Sequence, residues 1–207
     1  MIISHRHQFI FFAIPKTGTH AFRFALREHL GEMDQEQVGL YVKKSLPYPE
    51  LSKLGHGHIS CEQAKAVLDP EIWENYFKFA IVRNPWDRFV SFCFYMNRKN
   101  RRFAKNPLPA MKAILANPAI QNRILFRPQH EFICDKNGKQ MVDWIGRYEE
   151  LQTAYDTICE QLNFPKRELE HLNATVRKSH DHYFDESLKA AVQEYYQKDI
   201  KIFNYSF

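Results

Sequence analysis

Residues Gln8 to Ile14 (QFIFFAI) run almost without a polar break. A run this short and this apolar suits a strand buried on both faces, as in a parallel sheet. Pro15-Lys16-Thr17-Gly18-Thr19 then imposes a sharp turn. Beyond it Phe22, Ala25, Leu26 and Leu30 share one helical face, Arg23, Arg27 and Glu28 lie opposite, and Gly31 is placed to close the helix.

The same alternation recurs downstream. Lys78 to Val82 (KFAIV) reads as a second buried strand, and Asn84-Pro85 starts a helix with Asn as cap and Pro in its first turn. Phe89, Phe92, Cys93 and Met96 form that helix's apolar face. Val142 to Ile145 reads as a third strand, and Leu151, Tyr155, Ile158, Cys159 and Leu162 mark a helix ended by Asn163-Phe164-Pro165. Leu188, Val192, Tyr195, Tyr196 and Ile200 predict one final helix. Cys61 to Leu68 predicts a short helix stopped at Pro70, whereas 31–54, 100–109 and 118–139 read as mainly loop, with a turn at Asn137-Gly138. Strands alternating with helices predict an α/β sheet with crossover connections.

At 207 residues the chain is expected to form one domain, residues 1–207. Hydrophobic residues make up 44% and charged residues 26%, which excludes disorder, collagen and coiled coil. No apolar run approaches the roughly 20 residues that cross a bilayer. The opening Met1-Ile2-Ile3-Ser4-His5-Arg6-His7 lacks a signal-peptide layout. A cytoplasmic protein without a membrane span is the expectation. The net charge of +5 fits an anionic ligand but is too dilute for a duplex nucleic-acid binder. Cys61, Cys93, Cys134 and Cys159 are scattered with no C-x-x-C pair, so reduced thiols are expected and no metal.

Two segments carry the chemistry. In Pro15-Lys16-Thr17-Gly18-Thr19-His20 a strand ends and a helix begins. Helix N-termini present unpaired N–H groups and partial positive charge, so they attract phosphate. Gly18 permits close backbone approach, Lys16 adds a full charge, and Thr17 and Thr19 add hydroxyls. The lysine leads the turn, so this is not a Walker A loop. In Val82-Arg83-Asn84-Pro85-Trp86-Asp87-Arg88-Phe89-Val90-Ser91, Arg83 stands at a strand's carboxyl end, where ligands of open α/β sheets collect. Its guanidinium can fork onto phosphate, with Ser91 as a second donor. An Arg83–Asp87 surface pair is the plainer alternative. Two anion sites at two strand ends suit one ligand with two separate phosphates.

Together these segments resemble the 5′-phosphosulfate loop and the 3′-phosphate motif of sulfotransferases, in the same chain order. The resemblance is to the carbohydrate sulfotransferases and their small bacterial relatives. It continues through Gln129-His130-Glu131-Phe132-Ile133, Trp144-Ile145-Gly146-Arg147-Tyr148-Glu149 and His171-Leu172-Asn173-Ala174-Thr175. It implies a P-loop-like three-layer fold with a central, mainly parallel sheet flanked by helices. It also implies 3′-phosphoadenosine 5′-phosphosulfate (PAPS) as donor, its 3′,5′-bisphosphate (PAP) as product, and a glycan or glycolipid acceptor. Lys16 is expected at the bridging and leaving oxygens, Thr17, Gly18 and Thr19 at the 5′-phosphate, and Arg83 and Ser91 at the 3′-phosphate. His20 stands where the family has Ser or Thr. Arg177 and Lys178 lie where relatives close over the nucleotide.

An attacking hydroxyl must lose a proton, and a histidine with an ordinary pKa of about 6.5 can take it. Gly55-His56-Gly57-His58 offers two such rings on a glycine-flanked turn and resembles the histidine pair of uronyl 2-O-sulfotransferases. His58 is the expected base and His56 its helper, with Glu28, Glu62 and Glu131 as other possible bases. A P-loop-like kinase, an inactive nucleotide-binding protein and a polyanion-binding module are the competing readings.

Overall fold

The apolar amino terminus pairs with the run that follows it. In the computed structural model, which describes residues 1–38, 45–170 and 178–207, Ile2–Ser4 (β1) and Phe9–Phe12 (β2) form an antiparallel pair with Ile3 opposite Ile10. Gln35–Glu36 (β3) adds antiparallel to β1. Phe77–Val82 (β4) lies parallel to β2, and Trp144–Arg147 (β5) parallel to β4. The sheet order is β3-β1-β2-β4-β5. Each parallel pairing runs over four residues, the antiparallel ones over three and two, so the longer contacts are parallel. β1 went unpredicted because its apolar stretch is so short. A distant residue secures its turn: Asp34 accepts from the His5 and Arg6 N–H groups at 2.6 and 3.0 Å and from the Ser4 hydroxyl at 2.8 Å.

The helices, in chain order, are Thr19–Arg27 (α1), Pro49–Ser52 (α2), Cys61–Lys65 (α3), Pro70–Asn75 (α4), Pro85–Met96 (α5), Arg101–Lys105 (α6), Leu108–Leu115 (α7), Pro118–Gln121 (α8), His130–Ile133 (α9), Leu151–Leu162 (α10), Glu186–Tyr195 (α11) and Gln197–Ile202 (α12). Pro70 both follows one helix and opens the next, with Asp69 accepting from the Glu71 N–H at 2.8 Å as the cap. The stretches read as loop hold α2, α6, α8 and α9, all of five residues or fewer, too short to show clear periodicity. The expected final helix breaks between Tyr195 and Gln197 into α11 and α12. Asn84 caps α5 by accepting from the Trp86 and Asp87 N–H groups, and Asn163 ends α10 in the left-handed region, both as expected. Among the described residues no helix is long and apolar enough to cross a membrane.

The chain divides into two compact units. The first comprises Met1–Val82 and Gln129–Leu172 and holds the whole sheet. Every residue of β2 is fully buried. Phe9, Phe11, Phe79 and Ile81 face Phe22 and Leu26 of α1 and Tyr155 and Ile158 of α10. Phe12, on the opposite side of β2, meets Trp73 of α4 edge-on at 6.3 Å. Helices therefore cover both faces, and three layers result. Each large apolar side chain so buried contributes about 1.5–3 kcal/mol.

The second unit comprises Arg83–Pro128 and Asn173–Phe207. Its core packs Trp86, Phe89 and Phe92 of α5 against Met111 and Ile114 of α7, Phe126, and Leu188 and Val192 of α11. Arg88 is 2% exposed and donates to the Arg127 carbonyl at 2.7 Å, while the hydroxyl of Tyr196 donates to Phe126 O at 2.8 Å.

Candidate active site

β2 delivers its chain end into the expected anion loop, all of which belongs to the first unit. Thr17 is fully buried, and its hydroxyl donates back to the Ile14 carbonyl at 3.0 Å. Thr17 is therefore a brace of the turn, and what it offers a ligand is its main chain. Lys16 and Gly18 both take left-handed backbone, with φ of 68° and 75°. For a lysine that conformation is strained, and such strain concentrates at binding loops. Gly18 occupies the cap position of α1 and, as a glycine, makes no side-chain cap hydrogen bond. A helix N-terminus at the end of such a turn suits an anion. A Cβ on Gly18 would stand 2.9 Å from both Leu151 Cδ2 and Tyr148 Cδ2. The Trp144–Glu149 segment therefore abuts the loop it was matched with.

The histidine turn lies in the same unit. Gly55 has φ of 65°, and a Cβ on Gly57 would lie 2.1 Å from the Gln37 carbonyl oxygen. Both glycines are needed for the turn, as their flanking positions predicted. Gln37 Nε2 donates to the His56 carbonyl at 2.8 Å. The His58 Nδ1 lies 2.7 Å from the Ala13 carbonyl oxygen. A carbonyl can only accept, so Nδ1 carries the proton and Nε2 holds the lone pair. Burial pushes the His58 pKa down to about 3, with the nearby Met1 amine, His56 and Arg23 adding to the effect against the Ala13 bond. The ring is neutral at physiological pH. The His56 and His58 ring centroids are 6.3 Å apart.

Cations dominate the α1 side of this site. His20 is half-buried; burial and then Arg23, Lys16 and Arg27 lower its pKa, so it too is a neutral donor and acceptor. Arg23, expected on the polar face, is only 6% exposed. Its Nε donates to Glu36 Oε1 at 2.8 Å, and Arg27 Nε donates to Glu36 Oε2 at 2.8 Å. Sequence reasoning missed this triad, because Glu36 is brought in by edge strand β3, whose pairing no local pattern announces. The i, i+4 spacing of the two arginines was the available signal. Of the alternative bases, Glu28 is held by Arg167.

Arg83 follows the last residue of β4 and belongs to the second unit. It is 6% exposed, with Nε and Nη2 at 2.7 and 2.6 Å from the same Asp87 oxygen. The pair foreseen as the plainer alternative does form, but buried. Ser91 sits half-buried two turns into α5, and among the described residues its hydroxyl makes no hydrogen bond. Lys178 is exposed, with its Nζ 3.2 Å from His182 Nε2. Arg177 and the His171–Thr175 segment lie outside the described residues. Among those residues no group of three or more His, Cys, Asp or Glu side chains could hold a metal ion.

A three-layer α/β fold that presents a helix N-terminus and a loop lysine at the end of a buried strand is P-loop-like. A family model described as the Sulfotransferase family matches residues 1–206, and the chain belongs to that family. No curated protein and no solved structure matches it. Membership makes the chain a transferase of sulfuryl groups, with a donor and an acceptor to bind.

Proposed function

We propose that residues 1–207 work as one domain that transfers the sulfuryl group of PAPS to a hydroxyl of a carbohydrate acceptor, a glycan or glycolipid. The observation that carries this reading is the Lys16–Gly18 turn opening onto the N-terminus of α1. The family match over residues 1–206 supports it.

In this reading the 5′-phosphate sits on the α1 terminus, held by the N–H groups of Gly18 and Thr19, with His20 as an additional donor in place of the family's hydroxyl. The Lys16 ammonium faces the bridging oxygen. Arg83, oriented by Asp87, and Ser91 take the 3′-phosphate, with Arg177 and Lys178 closing over the nucleotide. The acceptor oxygen attacks sulfur in line as the bond from sulfur to the bridging oxygen breaks. His58 Nε2, its lone pair fixed by the Ala13 bond, takes the acceptor's proton, and His56 orients ring or substrate. Charge growing on the leaving phosphate is met by Lys16 and the helix terminus, the kind of preorganised stabilisation worth roughly 3–4 kcal/mol per donor. No metal is needed for these steps. The free, buried state of all four cysteines suits a reducing compartment, in keeping with a cytoplasmic enzyme.

Labelled PAPS supplied with a panel of glycans, glycolipids and phenols tests the assignment. Label should move to a carbohydrate without magnesium. Magnesium-dependent ATP turnover in its place would make the chain a kinase.

A further inference from the structure

We propose that Gln37 is the positioning residue of the candidate base: its carboxamide holds the His56–His58 turn so that the His58 ring keeps its bond to the Ala13 carbonyl and presents Nε2 as the acceptor of the proton. This rests on the role given to His58 in the transfer reaction proposed above.

The side chain comes first. Gln37 directly follows β3 and is 2% exposed. A glutamine amide carries two N–H donors and a carbonyl oxygen. Both donors are engaged: Nε2 donates to the Leu51 carbonyl at 2.7 Å and to the His56 carbonyl at 2.8 Å. Oε1 accepts from the Leu46 N–H at 3.1 Å. The orientation of the amide is fixed by these partners, because a flip would set its oxygen against two carbonyls. Two of the bonds gather the chain on either side of α2, and the third reaches the histidine turn.

The main chain of Gln37 meets the same turn. Its N–H donates to Met1 O at 3.0 Å, which carries the β1–β3 register one residue further and anchors Gln37 to the sheet. Its carbonyl oxygen is the atom that a Cβ on Gly57 would reach at 2.1 Å. The chain between the two histidines therefore lies directly on Gln37, with one contact to its side chain and one to its backbone.

His58 is thus held from two sides. Gln37 fixes the two residues before it, and the Ala13 carbonyl, just past the end of β2, holds its Nδ1 at 2.7 Å. Both anchors adjoin strands of one sheet. A ring on so short a tether has little slack. If the turn drifts off Gln37, the Nδ1 contact lengthens past hydrogen-bonding range and the proton is free to move to Nε2. A ring protonated at Nε2 cannot accept the acceptor's proton there, and a misplacement of about 1 Å can cost about 10²-fold in rate.

The test reads the ring and the rate in the full chain. Ring nitrogen NMR shifts of His58 in the wild type should show one tautomer, protonated at Nδ1. Gln37→Met keeps the side-chain length and removes all three bonds; its two ring nitrogens should move toward each other, the mark of mixed tautomers. Gly57→Ala pushes the turn off the Gln37 carbonyl without touching the bonds to Leu46 and Leu51, and it should mix the tautomers too. With labelled PAPS and the panel of glycans and glycolipids, Gln37→Met should lower kcat at least about tenfold. Its affinity for adenosine 3′,5′-bisphosphate should stay unchanged. In the His58→Ala background the same substitution should cost no more than about twofold, because it acts through the ring. A single Nδ1–H tautomer in both variants, or an equal loss of turnover with and without His58, overturns the role. Variants that stay unfolded even in the cold overturn it as well, by making Gln37 a determinant of the fold. If the wild type does not bind the bisphosphate, or His58→Ala keeps full turnover, the transfer reading or its base falls, and the ring shifts still decide whether Gln37 sets the tautomer.

Discussion

His58 donates from Nδ1 to the carbonyl oxygen of Ala13, 2.7 Å away, and so ties the candidate base to the end of the strand that carries the anion loop. One bond sets both the tautomer and the distance from base to loop. Replacing His58 with Ala should leave bisphosphate binding intact and lower turnover roughly 10²-fold or more, as loss of a general base does. Calorimetry and steady-state rates on the same preparation check both halves. Full activity in His58→Ala would move the role to Glu62 or Glu131.

The pH dependence follows from the same ring. A depressed pKa keeps His58 unprotonated in the free protein down to about 3. The acid limb of kcat/KM, which reports the free enzyme, should therefore lie well below the ordinary histidine value of 6.5. A bound anionic donor favours the protonated ring, so the acid limb of kcat should fall at higher pH than that of kcat/KM. Two limbs that coincide near 6.5 would contradict the assignment.

Gly18 has no tolerated replacement. At φ of 75° any Cβ is strained, and here it would also press on Tyr148 and Leu151. Gly18→Ala should lose about 1–3 kcal/mol of stability and weaken bisphosphate binding. Chemical denaturation and calorimetry measure the two effects separately.

Glu36 governs acid stability. Burial pushes its carboxyl up, but Arg27 and Arg23 outweigh burial and hold it below its ordinary 4.5. The stabilisation is fully present above 4.5 and is lost as pH falls through the lower folded value. His58 acts with the same sign between 6.5 and about 3. Glu36→Gln strands the buried Arg23 charge and should cost about 3–5 kcal/mol at neutral pH. It should also flatten the decline of melting temperature below pH 4.5 without abolishing it.

The parts of the molecule visible in its sequence are those made by neighbours along the chain. The buried strand before Lys16, the Asn84-Pro85 start of α5 and the glycines around His56 each announce themselves within a few residues. β1, the Arg23–Glu36–Arg27 triad and the buried Arg88 do not. Each depends on a partner far along the chain: β1 on Asp34, Arg23 on Glu36, Arg88 on the carbonyl of Arg127. The short helices escaped for a different reason. α6 and α8 begin at Asn caps that hold only four or five residues, less than the two turns over which an apolar stripe becomes legible. The family was legible because its two motifs are local.

The most direct measurement of the central claim is calorimetric titration with adenosine 3′,5′-bisphosphate and with adenosine 5′-monophosphate, in magnesium-free buffer. Wild type should bind the bisphosphate at least about tenfold more tightly than the monophosphate, the value of one charge-assisted phosphate contact. Lys16→Ala and Arg83→Ala should each weaken the bisphosphate, and Arg83→Ala should erase the preference for it. Equal affinity for the two nucleotides, or undiminished binding by both variants, would contradict the account.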